Sequence, residues 1–527
     1  MGSKNLTDEQ VELARSIYTN KSKPWDERMN ELINLFGVSE RTARKWCVEL
    51  GFKEKSDVEP IQYTKAKKRK FDKTKKRFII TWGQNNTPVH DGFYKNMESY
   101  AKYIDADIHI ILGRYKNPTS LFTKDQQEEE SWVAEVEKYK DASRHDIHKN
   151  ISILSDIRIQ PTGTNPMSGM QGVSGANSCV FGSPKVQMEM IPVLEGCQPK
   201  IMLTTGSVTK MNYTDSKSGK KGEFHHVFGF AIIEIKDKDT FFVRQVTADD
   251  KTGNFTDLYH RVEGGKVSKI TSIEAAVLGD LHYGHHDENV LKQTHKLLNR
   301  IKPKHVILHD VFDGSSISHH EAKDPFIQYA KEVAGTNSLK NEVDAMLDGL
   351  ESFEKFANVV IVRSNHDDFL DRWLKNEDWK KQSTSKNSPE YMEYASMLLK
   401  QYAKDRYNVK GVIPEIINKR FPKYKTLGRN ASYRVKGNWE LGQHGDVGSN
   451  GSRGSLQQFR RLNTKIIVGH YHSPGRKDGA IAVGTSTTIR VGYNQGPSSW
   501  LQSHVLIHDD GKAQHINFIN GEFTTFI

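Results

Sequence analysis

Residues 275–284 read AAVLGDLHYG: a short apolar run suited to a buried strand, then Gly-Asp-x-His where that strand must end. The arrangement recurs in HVILHDVFD (305–313), VVIVRSNHD (359–367), WELGQHGD (439–446) and KIIVGHYH (465–472). Each places Asp, Asn or His directly after a short apolar run, and helix-like segments separate most of the runs. Apolar runs of this length alternating with helical patterns predict an α/β sheet. In such sheets ligands bind beyond the carboxyl ends of the strands. A single His after a strand is ordinarily structural, whereas clusters at five successive strand ends converge on one site.

The residue types narrow the chemistry. Carboxylates, imidazoles and an amide oxygen, without thiolates, favour Mn, Fe or Zn over a structural zinc site. The ligands are too many for one ion but suit two ions that share a carboxylate. Two ions about 3.5–4 Å apart form a clamp for in-line displacement at phosphorus.

The order D-x-H, D-x-x-D, N-H-D, H and G-H-x-H resembles the calcineurin-like metallophosphoesterase superfamily, over roughly residues 273–527. The resemblance implies a β-sandwich flanked by helices and a dinuclear metal centre. By that likeness Asp280, His282 and His472 hold the first ion, Asp310 bridges, and Asn365, His444 and His470 hold the second. His366 is then the general acid that protonates the leaving oxygen, with Asp367 orienting or charging its ring. Imidazole suits that role because its pKa lies near working pH. The implied cofactors are two divalent ions, Mn²⁺ foremost, with Fe or Zn as alternatives. Two positions depart from the family pattern, which has Gly before the bridging Asp and before the Asn; here they are His309 and Ser364. His309 is a candidate substrate contact. So are His319 and His320, which otherwise read as surface histidines beside a helix cap.

The rest of the 527 residues bears on the substrate. Length alone suggests about three domains. No apolar stretch approaches the roughly 20 residues of a membrane helix, and no apolar signal segment opens the chain. The three cysteines, Cys47, Cys179 and Cys197, form neither a disulfide framework nor a zinc site, so a cytoplasmic setting is expected. Net charge is +11, yet Lys65–Arg77 (KAKKRKFDKTKKR) alone carries nine basic residues and one Asp, net +8. One basic segment on a nearly neutral chain points to a polyanion contact, with a solvated linker or a tether to anionic lipid as the alternatives.

Ahead of it, residues 6–53 read as three short helices. Thr7 can cap the first, Pro24 suits the first turn of the second, and Gly37 can end it. Met29, Leu32, Ile33 and Phe36, then Ala43, Trp46, Cys47 and Leu50, form apolar stripes on two helices joined by a Gly-Val-Ser turn. That is a helix-turn-helix signature, and Arg41, Arg44 and Lys45 are its candidate DNA contacts. A small bundle for protein contact is the alternative.

The expected organisation is α/β (α+β): a helix-turn-helix over 1–60, a basic linker over 61–77 that includes Lys67, Lys68, Arg69 and Lys70, a mixed accessory domain over 78–270, and a catalytic domain over 271–527 with a helical insertion at about 372–425. A βαβ unit is expected at the start of the accessory part, a charged helix over 123–150, and a flexible Gly-rich loop over 163–182.

The core motifs do not choose between protein phosphatases, nucleotide phosphodiesterases and DNA nucleases, but the attachments favour a polymeric nucleic acid. The layout resembles the double-strand-break repair nucleases of the superfamily and the large early nucleases of tailed phages that attack host DNA. The expected activity is therefore two-metal hydrolysis of DNA, in the bacterial host cytoplasm if phage-encoded. The alternative is a phosphatase or nucleotide phosphodiesterase recruited by its helix-turn-helix. The expected partner is DNA and no membrane, with a homo-oligomer left open.

Overall fold

A computed structural model describes residues 6–52, 74–118, 120, 131–318, 321, 324–382, 385–491 and 494–526. The chain divides into two compact units at residue 68. No helix among the described residues is long and apolar enough to cross a membrane.

Among its described residues the first unit has three helices, Asp8–Thr19, Trp25–Phe36 and Glu40–Glu49. Thr7 and Gln10 cap the first reciprocally, satisfying two backbone N–H groups that the helix itself cannot. Gly37 ends the second in the left-handed region (φ 61°), where a Cβ would be strained. Ala14, Met29, Leu32, Phe36, Ala43, Trp46 and Cys47 bury the small core between the three.

The second unit is mixed α/β. Its six-stranded sheet runs Lys425–Thr426, Val359–Val362, Pro303–His309, Ile273–Val277, Ser503–Ile507, Ala513–Asn517. The first four of these strands are mutually parallel, so their carboxyl ends share one edge. A ten-stranded sheet contains a second parallel set, Trp439–Glu440, Lys465–Val468 and Ala480–Ala482. Val277, Ile307 and Val360 from the first sheet meet Trp439, Ile467 and Ile481 from the second in one buried apolar layer. The two sheets therefore face each other, and strand ends from both reach the same place. The antiparallel pair Ser503–Ile507 and Ala513–Asn517 completes the first sheet.

The expected boundary at residue 270 is not a structural one. The ten-stranded sheet continues from Gly475–Lys477 into Gln187–Ile191, and onward through Lys200–Thr204, Ser178–Phe181 and Ile151–Leu154. Residues from both expected domains thus share one sheet. A five-stranded sheet packs over that outer half. Its strands Arg77–Gln84 and Ala106–Gly113 are parallel, with helix Asp91–Tyr103 between them, which is the expected βαβ unit. The helix expected over 123–150 is replaced, where described, by a single turn at Ala134–Glu137 and strands Lys140–Asp141 and Arg144–His148.

The Gly-rich stretch is pinned rather than free. The ammonium group of Lys185 donates to Gly163 O at 2.5 Å, and that of Lys200 donates to Gln171 O at 2.6 Å and to Gly175 O. Between Val359–Val362 and Lys425–Thr426 the chain forms helices Asp367–Asn376, Ser388–Lys404 and Val412–Arg420. Two of these lie within the expected insertion.

Candidate metal centre

Asp280, His282, Asp310 and His472 offer ligand atoms that all lie within 4.8 Å of one another, and Asp310, His444 and His470 form a second such group. Asp310 belongs to both. Each residue stands just past the carboxyl end of a strand, so the parallel order of the two sheets is what gathers them. The individual spacings are those of ligands around an ion. His282 Nε2 lies 3.1 Å from His472 Nε2 and 3.5 Å from Asp310 Oδ2. His472 Nε2 lies 3.1 Å from Asp280 Oδ2, and His444 Nε2 lies 3.0 Å from Asp310 Oδ2. Bonds of about 2.1 Å to a common ion place neighbouring ligand atoms roughly 3.0–3.4 Å apart.

Protein contacts alone leave this cluster incomplete. Asp280 Oδ1, Asp310 Oδ1, Asn365 Oδ1, His444 Nε2 and His472 Nδ1 are buried and find no hydrogen-bond partner among the described residues. Unsatisfied buried carboxylate and imidazole atoms are costly, each by about 1–3 kcal/mol or more. Leaving aside His472 Nδ1, which is on the far side of a ring whose Nε2 faces the cluster, the other four indicate a missing ligand, and oxygen and nitrogen donors of this kind fit divalent cations. His444 Nε2 and Asp310 Oδ2 are close without the alignment of a hydrogen bond, as two ligands aimed at a third body would be.

The backbone carries strain at the same place. His282 (φ 41°), Asp310 (φ 44°), His470 (φ 75°) and His472 (φ 54°) all adopt the left-handed region that non-glycine residues avoid. Such strain costs on the order of 1–3 kcal/mol per residue and persists where the surrounding structure dictates it. Gly469 shows how tight the packing is: a Cβ there would stand 2.4 Å from Asp280 Oδ1 and 3.0 Å from His309 Cγ.

The electrostatics favour cations. Burial opposes ionisation of Asp310, yet the imidazoles of His444, His366 and His282 hold its carboxyl well below the usual range. Burial likewise opposes ionisation of Asp280, and the contact with His472 outweighs it. His444, which burial alone would depress, is pushed up to about 9 by Asp310. An ion held there would take the place of that proton.

Asp313, the second Asp of D-x-x-D, was given no role from sequence. Its Oδ1 accepts from His282 Nδ1 at 3.0 Å, and its Oδ2 lies 3.5 Å from His285 Nε2. Those contacts fix the tautomer of His282 and turn Nε2 toward the cluster, the outer-shell arrangement common to metal-binding His. The pairing of two acids three residues apart was the visible signal.

His366 lies beside the cluster, its ring 4.6 Å from that of His282. Its Nδ1 donates to the carbonyl of Asp313 at 2.6 Å, which leaves Nε2 for an incoming group. Asp367 does not orient this ring, contrary to expectation. Its Oδ2 accepts from Ser364 N at 2.9 Å, and Ser364 Oγ accepts from Asp367 N at 3.2 Å. Asp367 opens the helix Asp367–Asn376, and its carboxylate turns back to hold the loop; burial pushes that carboxyl up to about 6. The Ser at 364 is thus part of this clasp. Beneath, Arg363 pairs with Asp368 and Asp371, and Arg429 joins Asp368 to Asp446, tying the third motif to the fourth.

His309 stands among these residues: it forms a further possible ligand group with Asp280 and His444, and its buried Nε2 finds no partner among the described residues. It is fully buried, with Nδ1 3.4 Å from His444 Nδ1, and burial pushes it down to about 4. His319, His320, Lys67, Lys68, Arg69 and Lys70 lie outside the described residues, as does the side chain of Arg41. Arg44 pairs with Glu40, and Lys45 with Glu49, one helical turn away in each case.

No protein-family model matches the chain, and no solved structure matches it. A relative does: Protein A1 of Escherichia phage T5 is 30% identical over 465 residues, 85% of this chain and 83% of that protein.

Proposed function

The chain belongs to the family of Protein A1 of Escherichia phage T5, and from the geometry of its buried cluster we propose that it is a two-metal phosphodiesterase of the calcineurin-like metallophosphoesterase type, acting on DNA. The observation that carries this reading is that Asp310 belongs to two separate ligand groups at once. Asp280, His282 and His472 complete the first. His444 and His470 complete the second, with the unsatisfied amide oxygen of Asn365 as a further donor. Mn²⁺ is the preferred ion, because imidazole-rich sites suit softer ions than Mg²⁺.

When bound, the two ions supply Lewis acidity toward phosphate oxygens and lower the pKa of water at the site. The protein does the rest. Asp313 holds His282 in the tautomer that a ligand needs. The carbonyl of Asp313 keeps the Nδ1 proton on His366, so Nε2 carries the transferable one. As a water oxygen bonds to phosphorus and gives up a proton to solvent, the phosphorus–oxygen ester bond breaks, its electron pair goes to the leaving oxygen, and that oxygen takes a proton from His366 Nε2. The clasp between Ser364 and Asp367 and the ion pairs of Arg363 and Arg429 hold His366 and Asn365 at their positions.

DNA as substrate rests on the +8 segment Lys65–Arg77 and on the two N-terminal helices joined by a short turn. Bacterial host DNA, in the host cytoplasm, is the expected target. The pairing of Arg44 and Lys45 within their own helix favours a second reading of the first unit, as a protein-contact module that recruits a phosphatase or nucleotide phosphodiesterase. Incubating the purified protein with linear and circular duplex DNA plus Mn²⁺, Mg²⁺ or EDTA tests the choice. Cleavage with Mn²⁺ that EDTA abolishes is the expected result. Turnover of a small chromogenic phosphodiester with no action on either DNA would favour the second reading.

A further inference from the structure

Away from the metal cluster lies a cavity of about 730 Å³ on the second unit. Five cationic side chains line it: Lys76, Arg77, Lys236, Lys296 and Arg300. Among the described residues two carboxylates, Asp105 and Glu522, face them there, which leaves net +3 for those side chains. Lys236 uses Glu522 at 2.6 Å. Among the described residues no carboxylate pairs with Lys76, Lys296 or Arg300. Arg300 instead lies 3.6 Å over the ring of Tyr259, and Arg77 4.5 Å over that of Phe526.

The cavity has a built wall. Glu234 is fully buried and paired with Arg244, and it accepts from Thr525 N at 2.7 Å and from Thr524 Oγ1 at 3.0 Å. Arg77 donates to Thr525 Oγ1 at 2.9 Å. Phe523–Phe526 is thereby held as one side of the cavity. The opposite side is one face of helix Glu288–Ile301, where Gln293, Lys296, Leu297 and Arg300 follow helical spacing.

We propose that this cavity binds a phosphate-bearing nucleotide unit, either a free nucleotide or one residue of a nucleic-acid strand. Unpaired cations suit phosphate, the partly exposed Phe526 offers apolar surface to a base, and the volume falls within the roughly 300–1,000 Å³ of small-molecule sites. Lys76 and Arg77, the last two residues of the basic segment Lys65–Arg77, line it. Helix Glu288–Ile301 begins a few residues after His282 and His285 and carries Arg300 at its far end, roughly 18 Å away at 1.5 Å per residue. The site is therefore separate from the metal cluster, and it stands whether or not that cluster is a nuclease.

The test uses the full-length protein in EDTA, so that nothing is cleaved, with two probes: AMP by calorimetry and a fluorescein-labelled 12-mer of thymidylate by anisotropy. Lys296→Glu with Arg300→Glu, both on the exposed side of the helix, should weaken at least one probe tenfold or more. For the 12-mer, the slope of log Kd against log salt should also fall by about 0.7 per lost phosphate contact. Loss of AMP binding assigns a free nucleotide; loss confined to the 12-mer assigns a strand. Lys76→Glu, on a different element, should act in the same direction. If both sets of changes leave both probes unaltered while melting temperature is unchanged, the proposal is overturned. Failure of the unaltered protein to hydrolyse a chromogenic phosphodiester with Mn²⁺ would count against the phosphodiesterase reading and not against this one.

Discussion

Gly469→Ala adds a single methyl group to the fifth motif, and the structure says where it would go. The new Cβ would stand 2.4 Å from Asp280 Oδ1, about 1 Å inside the 3.4 Å at which ordinary contact begins. Asp280 cannot step aside cheaply. Its Oδ2 accepts from His470 N at 2.7 Å and lies 3.1 Å from His472 Nε2. On the other side His309 Cγ closes in at 3.0 Å. A displacement of about 1 Å in a ligand is enough to cost roughly 10²-fold in activity. Disturbing the surroundings of a metal ligand typically lowers affinity about 10–100-fold, which is about 1.4–2.8 kcal/mol. Calorimetric titration with Mn²⁺ reads this directly, with a chromogenic phosphodiester at saturating Mn²⁺ as the second readout. Gly479→Ala is the control: its nearest neighbour would be Lys465 Cγ at 3.4 Å, an ordinary contact, and Mn²⁺ affinity should stay within twofold. If Gly469→Ala folds and binds Mn²⁺ as tightly as the unaltered protein, Asp280 is not a ligand held in this position and the metal assignment fails with it.

Asp310→Ala should abolish binding of both ions, because this residue belongs to both ligand groups; one ion retained at full affinity would refute the shared bridge. Asp313→Ala should leave the ions bound but about 10–100-fold more weakly, since His282 loses its orienting acceptor; unchanged Mn²⁺ affinity would show that His282 needs no such hold. His366→Ala should keep Mn²⁺ binding and lower turnover about 10²–10⁴-fold, less for a substrate whose leaving group needs no proton; metal loss instead would make it a ligand. Neutralising five of the nine basic residues between Lys65 and Arg77 should weaken DNA binding and flatten its salt dependence without changing turnover of a small diester; an unaltered salt slope would place the polyanion contact elsewhere.

The strand ends were legible in the sequence because each strand announces itself locally, by four or five apolar residues, and its ligand follows within a few positions. Val359–Val362 and Lys465–Val468 have the bounds their apolar runs suggested. Pairing between distant strands has no such local trace. Nothing near Gln187 or Lys477 signals that these residues, 290 positions apart in the chain, are partners in one ladder. Roles that depend on side-chain direction were also hidden. His309 precedes a ligand and looks available to substrate, but the fold buries it among the ligands, beside Asp280 and His444. Asp367 adjoins His366 in sequence, yet the start of a helix sends its carboxylate to Ser364 while a carbonyl from another strand end takes the imidazole. Only the folded chain shows the ammonium groups of Lys185 and Lys200 bonded to carbonyls of the Gly-rich stretch.

The ten-stranded sheet limits how this protein can be cut or recombined. A fragment beginning near residue 271 would keep every ligand but lose Gln187–Ile191, baring the edge of Gly475–Lys477 and the apolar faces beside it. Exposed edges of that kind recruit other chains and lead to aggregation. The residues that hold metal are thus not a portable cassette. They keep a complete sheet only together with the strand Gln187–Ile191 and those beyond it.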